Sequence, residues 1–201
     1  MTEPHPPARP APDLGRPATV EAGRDEPPDE SSNQEMTMNA RIVNLETLSF
    51  QKRAHGERFE CDIARVGAGL ESKKLGFNVT VIPPGKRAFP YHAHRGNEEM
   101  FFILEGEGSA RIDGTIHRIR KGDFISLPAG RDSAHQIIND SQAPLRYLAV
   151  STMELPEVVE YPDSGKIGVI AGTSGGRPAE EDSIRHFTRL RDGVDYWEGE
   201  M

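Results

Sequence analysis

Apolar and polar positions alternate along the middle of the chain. In Pro144-Leu-Arg-Tyr-Leu-Ala-Val-Ser151, Tyr147, Ala149 and Ser151 form the smaller, more polar face, while Leu148 and Val150 alternate with them as packing residues, the period of a strand. Leu75-Gly-Phe-Asn-Val-Thr-Val-Ile82 reads as another strand, closed by Pro83-Pro84-Gly85. Met100-Phe-Phe-Ile-Leu104 is an apolar run of strand length bounded by Gly106. Ser109 to Ile119 contains Asp113-Gly114, the dipeptide of a type I′ hairpin, whose two central residues both need positive φ. Gly122 to Leu127 gives a short apolar strand, Pro128 to Gly130 a corner, and a further strand opens at His135. Many short strands with turn signals at near-regular intervals predict an all-β fold, a jelly roll.

The two ends of the chain read differently. Eight of the sixteen prolines fall in the first 28 positions, no aromatic residue precedes Phe50, and Asp and Glu outnumber Lys and Arg eight to three up to Met38. Such a segment has too little apolar surface to offset its ordering entropy, so residues 1–38 are expected to be a disordered tail. Residues 39–155 are assigned to the barrel and residues 156–201 to an extension packed on the barrel or on a partner subunit. Within that extension, Tyr161 to Gly165 is a turn, Gly172 to Gly176 a flexible linker, and Pro178 to Leu190 a short helix with Ile184, Phe187 and Leu190 on one face. The adjacent Tyr196 and Trp197 are expected to be pinned to the barrel or to a partner.

Charge and cysteine content narrow the function. A formal net charge of −8 argues against a nucleic-acid partner, which would need a basic face, and five of those negative charges sit in the tail, so the folded part is only mildly acidic. No stretch approaches eighteen apolar residues and no apolar signal region opens the chain, so a cytoplasmic protein without a membrane segment is expected. Cys61 is the single cysteine, which leaves no internal disulfide and no thiolate cluster.

The chemistry concentrates between Gly85 and Asn139. His92 and His94 are two apart and share a face if extended, with Cα atoms about 6–7 Å from each other, close enough for both imidazoles to reach one ion. Glu99, at the start of the Met100 strand, can return a carboxylate to the same ion, with Glu98 as its rival; His135 supplies a third nitrogen. Three imidazoles and one carboxylate suit iron, manganese, nickel, copper or zinc and suit thiolate-loving ions poorly. A lone His-x-His is common by chance, and an isolated strand histidine is ordinarily a satisfied structural residue.

These segments resemble the two paired motifs of the cupin superfamily. Gly85, His92, His94, Glu99 and Gly106 follow the first, with one residue more than usual after Gly85. Gly122, Pro128, Gly130, His135 and Asn139 follow the second, with four residues where the pattern has two between Gly130 and His135. The count to Gly106 favours Glu99 over Glu98. The resemblance implies a cupin-type jelly-roll barrel binding one divalent metal ion through His92, His94, Glu99 and His135. It does not select a reaction, because cupins include isomerases, oxygenases, decarboxylases and non-catalytic binders.

Around that centre, Tyr147 is the candidate general acid, Asn78 and Thr80 are candidate substrate contacts from the earlier strand, and Arg87 and Arg131 are candidate anchors for an anionic group. Three functions stay open: a metal-dependent enzyme of sugar-phosphate-isomerase type, a non-haem iron oxygenase, and a metal-containing binder of a small molecule. A homodimer is expected, since a small jelly roll leaves a sheet edge and an apolar outer face to cover.

Overall fold

The computed structural model describes residues 41–172 and 183–200; the Pro-rich tail, and the glycine-rich linker beyond Gly172, lie outside the described residues. Among the described residues thirteen strands follow one another: β1 (Gln51–His55), β2 (Phe59–Arg65), β3 (Leu75–Ile82), β4 (Ala93–His94), β5 (Glu99–Glu105), β6 (Glu107–Ile112), β7 (Thr115–Arg120), β8 (Phe124–Leu127), β9 (His135–Ile138), β10 (Leu145–Thr152), β11 (Glu157–Tyr161), β12 (Lys166–Ala171) and β13 (Ile184–Arg189). The α-helix among the described residues is one turn, α1 (Val66–Gly69), so no described helix is long and apolar enough to cross a membrane.

One layer is a six-stranded sheet in the order β1-β2-β3-β10-β5-β8. The other is built from β7-β6-β9 and β13-β12-β11-β4, which meet where His92 bridges His135 through paired backbone bonds of 3.1 and 2.7 Å. The core lies between them: Cys61, Ile82, Phe101, Ile103, Leu145 and Tyr147 from the first layer pack against Ala110, Ile119 and Ile137 from the second. This is the jelly-roll arrangement, and its alternation follows the sequence. Tyr147 and Ala149 of β10 are buried inward, while Leu148 lies outside beside Phe77 and Leu104.

Local chemistry sets the connections. Asp113 and Gly114 both take positive φ, 44° and 77°, and join β6 to β7 with Ile112 opposite Thr115. The two additional residues before His135 are absorbed by a single 3₁₀ turn, Arg131–Ser133. Asn139 is fully buried; its amide donates to the Ile82 and Ala143 carbonyls at 2.7 and 2.8 Å and its oxygen accepts from Ser141, which ties the exit of β9 to the end of β3.

The C-terminal region departs from expectation in two places. Residues 184–189 form strand β13, not the end of a helix, paired antiparallel to β12 from Ala171↔Ile184 to Lys166↔Arg189. Ile184, Phe187 and Thr188 favour extended backbone, and the free edge of β12 offers a complete hydrogen-bond ladder, which outweighs a three-residue apolar period. Tyr196 and Trp197 are 83% and 70% exposed and touch each other edge to face, so they are not pinned to their own barrel. More consequentially, β11 pairs with β4 through Val159↔His94 and Glu160↔Ala93. The segment after residue 155 therefore completes the sheet that carries His94.

Candidate metal centre

β5 begins with Glu99, and alternation sends Glu99, Phe101 and Ile103 to the same face; Phe101 and Ile103 are core residues, so the Glu99 carboxylate is drawn to the inner face while Glu98 is exposed. His92 precedes β4 and His135 opens β9, and the bridge between their backbones sets their rings 4.5 Å apart. One donor atom each from His92, Glu99 and His135 falls within 4.8 Å of the others. His94 lies outside that group, with its Nε2 3.5 Å from Glu99 Oε2.

The histidines are oriented by their other nitrogens. Nδ1 of His92 is 2.8 Å from the Pro90 carbonyl and Nδ1 of His135 is 2.9 Å from the Ser133 carbonyl. A carbonyl only accepts, so each Nδ1 carries the proton and each Nε2 presents a lone pair, the arrangement seen around metal-binding imidazoles. Glu99 Oε2 and His135 Nε2 are 2.9 Å apart, yet both are buried without a properly directed hydrogen bond. Buried polar atoms are almost always satisfied. A cation accepting Nε2 lone pairs and a carboxylate oxygen would satisfy them, and the mixed nitrogen and oxygen donors fit a divalent transition metal. His92, Glu99 and His135 are thus the residues that would hold it, with His94 beside them.

Electrostatics agree with that use. Burial, reinforced by the neighbouring His135, holds the His92 imidazole down to about 3. Burial pushes Glu99 up, but His135, His94 and His92 more than offset it and hold the carboxyl down to about 2. Both groups are in their ligating forms at neutral pH. Both also release protons more readily folded than unfolded, so each adds stability above its unfolded pKa that is lost as pH falls toward its folded value. Metal-free protein should lose stability on acidification from about pH 6.5 to 3, through His92 and then Glu99. Melting temperatures measured across that range with chelator present check this; a flat profile would contradict it.

Sequence reasoning missed Glu157, at the start of β11. It is buried, lies 3.6 Å from His94 Nδ1, accepts from the Arg95 amide at 3.0 Å and bonds the Asn97 side chain. Asn97 in turn donates to the Glu154 carbonyl and accepts from Thr152 and the Glu154 amide. One carboxylate thus anchors the turn between His94 and Glu99. Burial lowers His94, but Glu157 and Glu99 together lift its imidazole above the ordinary value. No motif spacing points to Glu157, because it is 58 residues after Glu99 and meets His94 only through the β11–β4 pairing. Glu157→Ala removes the side-chain acceptor of the Gly96 amide at 3.4 Å and one bond each from the Arg95 amide and the Asn97 side chain, which keep the Val158 and Glu154 carbonyls, and is expected to cost about 1–3 kcal/mol and at least about tenfold in metal affinity. Thermal melts and metal titration measure the two; unchanged affinity would exclude a role in holding the site.

The other candidates divide. Tyr147 is almost completely buried beneath Phe101, ring centroids 5.2 Å apart, and burial pushes its phenol well above the ordinary range, so it keeps its proton. Thr80 is fully buried and donates to Asn78 at 2.8 Å, in register with Tyr147 on the same sheet. Arg87 donates to Gln136 at 3.4 Å from a half-buried position. Arg131 is exposed and sits 3.6 Å from Glu160, which also pairs with Arg95, so its charge is already partnered. Tyr161, not anticipated, stacks on His92 with ring centroids 6.1 Å apart and is itself backed by Phe187.

Residues 78–151 match the cupin domain model. An uncharacterized protein of Methanocaldococcus jannaschii is 34% identical over 71 residues, 35% of this chain; the match spans only 54% of that protein. An oxalate-binding protein of Thermotoga maritima is 28% identical over 115 residues, covering 57% of this chain and 92% of the relative. Among solved structures, a cupin-superfamily sugar phosphate isomerase from Silicibacter pomeroyi superposes with a TM-score of 0.63 at 22% identity, over 75% of this chain and 94% of that one. At that identity the likeness speaks for the fold.

Proposed function

The chain belongs to the cupin superfamily, and from that premise we propose that it is a metal-dependent enzyme acting on a small polar metabolite, of the type that isomerises a sugar phosphate by proton transfer. The observation that carries the reading is the convergence of His92, Glu99 and His135 within 4.8 Å, with buried donor atoms that no protein group satisfies. A bound divalent cation would supply Lewis acidity toward a substrate oxygen. The chain's own residues do the rest. His92 and His135 are fixed as neutral Nε2 donors by backbone carbonyls, and Tyr161, stacked on His92, lines the approach and offers a phenol to hold or pass a proton. Tyr147, kept protonated by burial, forms the floor and can donate a hydrogen bond but not accept a proton.

The test is solvent-proton exchange. Protein loaded with manganese or zinc and incubated in D2O with a panel of aldose and ketose phosphates should incorporate deuterium beside the carbonyl carbon of at least one of them. Absence of exchange across the panel would remove the isomerase assignment. A second reading, an iron-dependent oxygenase, is favoured by one specific feature: two histidines and one carboxylate are the donor set of non-haem iron oxygenases. Elemental analysis of protein purified without a metal-binding tag separates the two; iron with substrate-dependent oxygen uptake supports the second, manganese or zinc the first. The proposal places the protein in the cytoplasm as a homodimer, for which light scattering of the full chain is the measurement.

A further inference from the structure

The rows of side chains that begin at the metal centre continue across the C-terminal hairpin. β4 pairs with β11 through His94↔Val159 and Ala93↔Glu160, and the next step of the same register sets His92 opposite Tyr161. β11 pairs with β12 through Val159↔Gly168 and Tyr161↔Lys166, and β12 with β13 through Gly168↔Phe187. Paired residues share a face of the sheet, so His94, Val159, Gly168 and Phe187 form one row, with His92, Tyr161 and Lys166 in the row beside it. Glu157 and Val159 are buried on that face, which makes it the inner one.

Gly168 is the one position in these rows without a side chain, and the Phe187 ring lies over it. A Cβ at Gly168 would stand 2.7 and 2.9 Å from two carbons of that ring, well inside the spacing at which carbon atoms pack. The backbone there is ordinary strand without positive φ, so its conformation does not call for glycine. Glycine inside a strand marks a close approach, and an aromatic ring folded across an opposing glycine is a known way to make that approach. From this seat the Phe187 ring meets the diagonal neighbour: its centroid is 6.1 Å from that of Tyr161, at a tilt of 56°. Tyr161 in turn stacks on His92 at 6.1 Å and 24°. Phe187 stays 43% exposed, so the glycine does not serve to complete a core. It makes room for a ring beside Tyr161.

We propose that Phe187, admitted by Gly168, is the positioning residue that holds the Tyr161 phenol against His92, so that the hairpin of β12 and β13 completes the reacting side of the site. The assignment rests on the metal-dependent reading above, in which Tyr161 holds or passes a proton, and adds the two residues that fix where that proton is presented. Without the Phe187 ring, the Tyr161 side chain regains rotamer freedom that stacking on His92 alone must oppose.

The experiment uses the full chain with carbon-13 in its tyrosine rings. Tyr161→Phe identifies the Tyr161 resonance among the four tyrosines. In metal-free protein, Phe187→Ala and Gly168→Ala should each move that resonance toward the position of a solvent-exposed tyrosine, and Phe187→Tyr, which keeps a ring, should leave it at the wild-type position. Ile184→Ala, on the opposite face of β13, should not move it. Saturating manganese should broaden the Tyr161 signal strongly in wild type and several-fold less in Phe187→Ala, with manganese affinity unchanged. With any sugar phosphate that exchanges deuterium, Tyr161→Phe should lower kcat by about a hundredfold, the loss of a general acid or base. Phe187→Ala and Gly168→Ala should lower it by about tenfold, the effect of a misplaced group, with KM changed by less than about twofold. Gly168→Ala combined with Phe187→Ala should be no worse than Phe187→Ala alone, because the added methyl group collides only with the ring.

Additive losses in that double variant, or a Tyr161 resonance that stays in place in Phe187→Ala, would overturn the positioning role. Circular dichroism checks folding, and if Phe187→Ala does not fold, Gly168→Ala carries the same test, since a ring on an edge strand can swing clear of the new methyl group. Absence of deuterium exchange or of manganese binding by wild type would instead remove the proposed function. The metal-free resonance would then still decide whether Phe187 holds Tyr161.

Discussion

Alanine at His135 or His92 is expected to abolish practical metal uptake, lowering affinity by more than about a hundredfold, since even residues that merely orient ligands contribute about 10- to 100-fold. Each of these imidazoles provides one of three donor atoms that meet within 4.8 Å, and no other described histidine or carboxylate joins that group. Glu99→Gln should behave similarly, because the amide replaces an anion with a neutral oxygen in a buried site. Glu98→Gln should not, because Glu98 is exposed and faces away from the β5 inner surface. His94→Ala should weaken binding less than either histidine of the trio: its Nε2 faces the same Glu99 oxygen from 3.5 Å but stands outside the group. Titration of stripped protein with manganese or zinc, read calorimetrically and by elemental analysis after gel filtration, measures all five variants. Full occupancy in His92→Ala and His135→Ala would remove the site assignment, and equal effects of Glu98→Gln and Glu99→Gln would remove the strand register behind it.

The parts of this fold that are legible from sequence are those where one local rule dominates. Strands β3, β5 and β10 announce themselves by alternation, and the β6–β7 turn by Asp113-Gly114, whose φ values leave few other residue types. The jelly roll follows from these and from turn spacing. What stays hidden is set by pairing between distant segments. Glu157 is buried against His94 only because β11 adds to β4, and a two-residue strand such as β4 carries no periodic signal of its own. β13 is misread as helical for the same reason: Ile184, Phe187 and Leu190 are compatible with either period, and the decision is made by the open edge of β12.

The glycines of the first motif provide the second large effect, because two of them look alike in sequence and differ in the structure. Gly85 and Gly106 both have positive φ, 74° and 82°, so alanine at either position incurs the backbone strain of a left-handed conformation, about 1–2 kcal/mol. At Gly85 a Cβ would have open space around it. At Gly106 it would run into the Pro144 carbonyl oxygen and lie 3.1 Å from Leu145 Cα, backbone atoms at the start of β10 that cannot rotate away. Leu145 is fully buried in the core, and β10 is the central strand that joins β3 to β5, so relief by moving it would disturb both pairings. Overpacking of this kind adds about 1–3 kcal/mol to the strain. Gly106→Ala is therefore expected to cost about 3 kcal/mol or more, which for a domain of this size lowers the melting temperature by about 10 °C, whereas Gly85→Ala should lower it by only a few degrees. Paired melts of the two variants isolate the collision from the φ penalty they share. Equal losses would mean that β10 yields at Leu145 and that Gly106 is required for its backbone conformation alone.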